Sequence, residues 1–182
     1  IAIKQKACLV ASVHPMRSFA KPELSLAQYA GTYCAVEGDK AALAVVCPLF
    51  DAIGSITYAI EKLKKSSYHA AGVFASNYVV TLAGQALSCM SQAGVENKMA
   101  MKVITNIMQG TVSNLENTLS PKASLTGPIK RGDTATIIKH IAALTQAEQK
   151  HLYAVLGKAT LQLTDHNLEK KDAITSALSA TI

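Results

Sequence analysis

Tryptophan is absent from this 182-residue sequence, and aromatic residues supply only 5% of it. A composition rich in alanine and poor in aromatics favours helices that pack closely. Charge is also sparse, at 16% against 49% hydrophobic residues, which excludes a disordered chain and leaves material for a large core. None of the four cysteines, Cys8, Cys34, Cys47 and Cys89, belongs to a CxxC pair or to zinc-ligand spacing. Each lies in an apolar segment and reads as a buried thiol rather than a disulfide partner. No signal-peptide pattern opens the chain, and the expected setting is cytoplasmic. An initiator Met is lacking too, from which a truncated chain with something in front of it is expected.

What charge there is leans positive, with a formal net charge of +6 and a pI near 9.1. Basic residues are spread along the chain, and the densest patch, Lys62, Lys64 and Lys65, has no interleaved aromatic platform. It reads as a solvated face, so neither nucleic acid nor membrane is expected as a partner. The apolar stretch from Ser66 to Gly94 is long, but it carries His69, Asn77, Gln85 and Gln92 and reads as a buried helix.

Three short strands are expected in the first sixty residues: Ala7 to Val13, ending at His14-Pro15; Thr32 to Val36; and Ser55 to Ile60. Between the last two, Asp39 caps a helix with apolar positions at Leu43, Val46, Leu49 and Phe50, stopped by Gly54. This order resembles the tail of an α/β domain. Everything beyond Lys65 reads as helix. Ser66 or Ser67 starts a helix of roughly 40 Å, at about 1.5 Å per residue, that ends near Ala93. Its small residues suit the centre of a bundle. A second helix runs from about Glu96 to Leu119. The segment Ala123 to Asp133 reads as a loop because of Gly127-Pro128 and Gly132. Asp133 or Thr134 caps a helix to Leu144, Thr145 caps the next through a capping box with Glu148, and a last helix covers roughly Leu168 to Ala180.

Three polar clusters interrupt the apolar background. His14 to Phe19 follows the carboxyl end of a strand, where open α/β sheets bind ligands. Its bland alternative is a structural turn. Tyr68 and His69 precede Asn77 by roughly two helical turns, placing His69 and Asn77 on one face, about 12 Å apart. Imidazole is the side chain suited to proton transfer near neutral pH, although a lone His on an alanine-rich helix also serves as core. In Leu125 to Asp133, Thr126 offers a hydroxyl, Arg131 an anion-binding fork, and Asp133 a helix cap or an Arg131 partner. Thr111 and Asn114 are polar points on the second helix that either face the same cleft or serve packing.

The ordered runs VASVHPMRSF, YCAVEGD, SSYHAAGVFASNYVVTL, MQGTVSN and LTGPIKRGDTATIIKHI, with the stretch from Tyr153 to Leu156, resemble the Rossmann-like proteins that carry a DUF2520 C-terminal domain. That family looks related to pyrroline-5-carboxylate, ketopantoate and 6-phosphogluconate-type dehydrogenases. The resemblance implies a mainly α fold: a helical bundle like the C-terminal domain of 6-phosphogluconate dehydrogenase, preceded by a short α/β remnant of a Rossmann domain. Residues 1–65 would be the remnant and residues 66–182 the substrate-binding and dimerising domain.

By the same analogy the protein would be an NAD(P)-dependent oxidoreductase acting on a small molecule, with NADP or NAD as cofactor. A non-catalytic sensing module is the alternative. His69 and Asn77 would be catalytic, with His69 the acid or base. Thr126, Arg131, Asp133, Thr111 and Asn114 would meet the substrate, and His14 and Ser18 the cofactor. The sequence departs from the plan in lacking a GxGxxG turn after a strand and an acidic residue to hold a ribose, so dinucleotide binding by these residues alone is expected to be weak. A homodimer is expected, because so apolar a helical domain would otherwise expose a large patch.

Overall fold

The computed structural model describes residues 8–19 and 22–179. Ala7 and Ala180, the expected ends of the first strand and the last helix, lie outside the described residues. Contacts divide the chain into two compact units, Ile1–Thr81 and Leu82–Ile182. The fold class is the expected one, mainly α, with a short α/β part preceding the helices.

The first unit holds a three-stranded sheet in the order β1-β2-β3. β1 (Ala11–Pro15) runs antiparallel to β2 (Tyr33–Gly38), and β3 (Ile56–Ala59) runs parallel to it. A short helix, α1 (Pro22–Ala27), opens on a proline and was not anticipated from the sequence. α2 (Lys40–Ala52) makes the crossover that a parallel pair requires. The buried centre of the sheet is Cys34, Ala35 and Val36 on β2, small and β-branched side chains flanked by a strand on either side.

β1 extends through His14 and Pro15 rather than stopping before them. Pro15 pairs opposite Cys34, and β1 is an edge strand, where a residue without an N–H costs no ladder bond on its open side. At the other end, Asp39 sits at the N-cap position of α2, as expected, but its carboxylate accepts from the Val10 amide (2.9 Å) instead of capping its own helix. The preceding Gly38 has φ +145°, and a Cβ there would run into the Val10 carbonyl oxygen. The turn is therefore closed against the chain's own backbone.

A 3₁₀ turn (Lys62–Lys64) leads into α3 (Lys65–Gly72), then a π-helical turn (Val73–Asn77), then α4 (Tyr78–Gln92), within which the division between the units falls. The run Lys62–Gln92 is long and apolar enough, by length and composition, to cross a membrane. It was expected to be buried, yet no residue of α3, the π turn or α4 is buried. Its small residues permit close approach, and among the described residues Phe74, Val79 and Val80 stay exposed along it, while Gln149 of α9 reaches the α4 backbone at Gln85 (3.4 Å). Two cysteines likewise depart from expectation: Cys34 is buried and Cys47 partly so, whereas Cys8 and Cys89 are exposed.

In the second unit, α5 (Asn97–Thr118) is capped by the Glu96 carboxylate on the amides of Lys98 and Met99. The segment read as a loop contains two helical turns, α6 (Pro121–Ser124) and α7 (Gly127–Arg131). Proline stands in the first turn of each, where its missing N–H is one the helix leaves unbonded anyway. α8 (Thr134–Ala143), α9 (Ala147–Leu161) and α10 (Leu168–Ser179) follow. Asp133 caps α8 as expected. Thr145 does not cap α9: Gln146 holds that position, and the Thr145 hydroxyl accepts from Gln92 Nε2 (3.2 Å). The core of this unit is Ile129, Ile137, Ile141, Ala154, Leu161, Ile174, Ala177 and Leu178. α9 and α10 meet closely at Gly157, where a Cβ would lie 2.6 Å from the buried Leu178 side chain.

Candidate functional site

Four of the sequence-selected residues come together in the first unit. His14, Ser18, His69 and Asn77 line one cleft of about 810 Å³, together with Arg17, Tyr58, Tyr68 and Ser76. His14 stands near the end of β1, and α3 brings His69 against it, the two imidazole centroids being 4.6 Å apart. The close seat of α3 rests partly on Gly72, since a Cβ there would lie 3.0 Å from the Met16 sulfur. The π turn ends on Asn77, in the same wall. Its residues turn through less angle than α-helical ones, which narrows the rotation between His69 and Asn77 below that of a regular helix.

Tyr68 completes the cluster. Its hydroxyl lies 3.1 Å from His14 Nδ1, and its ring meets His14, His69 and Tyr58 edge to face at 5.5, 5.5 and 6.3 Å. Burial, with a hydrogen bond to Tyr58, holds the Tyr68 phenol well above its ordinary range. The pKa of His14 is lowered, first by desolvation and then by the neighbouring His69 and Lys65. Lys65 is not part of a solvated face: its ammonium donates to Ser12 Oγ (2.8 Å) and to the Glu37 carboxylate (3.1 Å). Lys64, by contrast, makes an exposed pair with Glu61.

Tyr58, Lys65 and Glu37 were missed by sequence reasoning. Helical spacing carried a signal for one of them, because Lys65 precedes His69 by four residues and shares its face. Nothing local marks Tyr58 or Glu37, which reach the cluster through strand pairing.

The second unit places its candidates separately. Thr126 lines a cavity of about 270 Å³ with Ile129, Tyr153, Leu156 and Gly157. Tyr153 there is half-buried, which raises its pKa, and its hydroxyl lies 2.9 Å from His140 Nδ1. Asp133 is committed to α8, accepting from the Thr136 amide (3.0 Å) and hydroxyl (2.7 Å), and these bonds lower its pKa. Arg131 is exposed at the end of α7. Thr111 and Asn114 are exposed on α5. The Thr111 hydroxyl donates to the Ile107 carbonyl one turn back (3.1 Å), and the Asn114 carbonyl accepts from Ser124 (3.1 Å).

The model of the domain of unknown function DUF2520 matches residues 32–160. The chain belongs to the DUF2520 family. The match takes in β2, β3 and the helices through α9, so the DUF2520 region includes Tyr68, His69 and Asn77 and begins after His14. Among solved structures, protein TM1727 from Thermotoga maritima shares 29% identity at a TM-score of 0.71, over 84% of this chain and 60% of its own. BF3122 from Bacteroides fragilis, provisionally named an NADP oxidoreductase, shares 20% identity and the fold, at a TM-score of 0.67, over 85% of this chain and 58% of its own. The chain thus spans less than two thirds of either relative. No curated protein matches it.

The described residues do not fit the phosphates of an NADP-type cofactor. The one strand-to-helix turn bearing a glycine, Gly38-Asp39, has its backbone closed against Val10 and its carboxylate bonded to the Val10 amide. A dinucleotide site needs a glycine-opened turn with free amides at a helix N-terminus.

Proposed function

We propose that this chain is the substrate-binding and dimerising part of an NADP- or NAD-dependent oxidoreductase that acts on a small molecule. The observation that carries the reading is the His14–Tyr68–His69 cluster in an open cleft at the end of β1, within a family whose structural relatives include a protein named for NADP chemistry. In this reading residues 1–65 present His14 and Ser18 toward the cofactor, and residues 66–182 bring His69 and Asn77 to the reacting atoms. Thr126, Arg131, Asp133, Thr111 and Asn114 belong to the substrate side. Cofactor phosphates would be held by residues other than those described, and the protein's part is orientation and charge at the reacting centre.

The test is NADPH and NADH consumption by the protein as its gene encodes it, with a panel of small imines and oxo acids. With an active compound, His69→Ala should lower turnover by about a hundredfold or more, the scale of a lost general acid or base, while the melting temperature holds. A variant that melts early and retains turnover per folded molecule would return His69 to a structural role. If no compound is reduced while ligands still raise the melting temperature, the chain is a binding module.

The same reading makes the protein a homodimer. The apolar face of the run Lys62–Gln92 includes the exposed Phe74, Val79 and Val80, and α5 exposes Met99, Ile107 and Val112. A second copy would cover what this chain leaves open.

A further inference from the structure

We infer that the cleft takes its ligand by a carboxylate and that Arg17 is the residue that binds it. The inference rests on the proposed reading of the cleft and names its substrate class, a small carboxylic acid. Among the described residues that line the cleft, Arg17 is the one with a permanent charge, and no Asp, Glu or Lys stands in that wall. The nearby Lys65 has its anion in Glu37 (3.1 Å). Arg17 has none among the described residues. Its Nη1 donates to Thr32 Oγ1 (3.4 Å) and its Nη2 to Gln28 Oε1 (3.0 Å), both neutral oxygens. A guanidinium only donates, so Thr32 accepts here, and its own hydroxyl proton goes to the Tyr29 carbonyl. These bonds hold the guanidinium without neutralising it. They use two of its five N–H donors and leave three for a ligand.

A half-buried cation whose protein partners are all neutral gains most from an anion that brings its own acceptors. A carboxylate supplies both, in the planar shape that a guanidinium fork matches. The charge of the cleft selects for a single negative charge. His14 adds no positive charge near neutral pH, since burial, His69 and Lys65 hold its pKa below the ordinary 6.5. One guanidinium offsets a monoanion, whereas a phosphate group would carry surplus charge out of water. An amine would meet Arg17 with like charge. The rest of the wall suits a short body: Ala71, Gly72 and Ala75 are small, and Ser76 and Asn77 offer hydroxyl and amide groups.

Chemical-shift titrations of the ¹⁵N-labelled protein, as its gene encodes it, test this with pyruvate and no cofactor, apart from any turnover. Pyruvate should shift the Arg17 Nε–H signal and the amides of residues 14–18 to saturation. Pyruvamide, its neutral isostere, and inorganic phosphate should each bind about tenfold more weakly or worse, the scale of one lost hydrogen bond to a charged group. Arg17→Gln should weaken pyruvate by a similar factor with the amide spectrum otherwise preserved. Lys62→Gln, which removes an exposed cation outside the cleft, should leave pyruvate binding unchanged. No saturable response to pyruvate, or equal binding of pyruvamide or phosphate, overturns the inference in the wild type without recourse to any variant. Undiminished pyruvate binding in a folded Arg17→Gln overturns it as well. Pyruvate binding that depends on Arg17, with no compound reduced in the turnover assay, upholds the carboxylate site and removes the enzyme.

Discussion

His14 is where chemistry and stability pull on the same group. Its pKa lies below the ordinary imidazole value of 6.5 because of burial, His69 and Lys65. A base whose folded pKa is depressed takes up its proton later than in the unfolded chain, so acidification through 6.5 favours unfolding. Stability should therefore rise with pH between the folded midpoint and about 6.5, and level off above. His14→Gln removes that titration. Thermal melts at several pH values between 5 and 8 should show a shallower acid-side fall for the variant than for the wild type. Parallel curves would mean that His14 titrates alike in both states.

The residues around His14 were unevenly legible. His14, His69, Ser18 and Asn77 stood out because polar groups are rare in their apolar stretches, and the structure gathers all four into one cleft. Lys65 was read as solvent-facing because a three-lysine patch has no way to announce that its last member reaches Ser12 and Glu37 across the sheet. Such contacts come from strand pairing over long sequence separations, which no local window holds.

Elements show the same division. Helices with caps and apolar periodicity, such as α2, α5, α8 and α10, lay where the sequence put them. Short helices built on proline, α6 and α7, were read as loop because Gly-Pro breaks a long helix yet also begins a short one. The π turn at Val73–Asn77 has no compositional mark, and an added residue in one turn leaves the flanking periodicity intact. Glycines within helices give the sharpest test at this scale. Gly157→Ala would press a methyl against Leu178 at the α9–α10 contact and should cost about 1–3 kcal/mol, as overpacking does. Gly110→Ala on α5 meets nothing within 4 Å and should stabilise the helix by about 0.5–1 kcal/mol. Urea unfolding of both variants checks the pair, and equal shifts of the same sign would mean that α9 and α10 do not close as tightly as described.

For the whole molecule, the feature that calls for a partner is the set of apolar side chains left exposed on the helices. The second unit buries a core of Ile137, Ile141, Ile174 and Leu178 to near zero exposure, so the chain has the means to hide apolar side chains. Yet Val80 remains 73% exposed and Ile107 59%. An apolar surface of this kind marks an interaction site more often than an accident of folding. A second copy of the chain is the simplest cover, because like meets like without any further component. Light scattering at micromolar concentration should give about twice the 19.2 kDa of one chain. Val80→Glu together with Ile107→Glu should halve that mass while far-ultraviolet circular dichroism stays unchanged, since both side chains are already exposed. A wild-type protein that scatters as a monomer in buffer removes the dimer. If it also moves onto phospholipid vesicles, the Lys62–Gln92 run finds its cover in lipid instead.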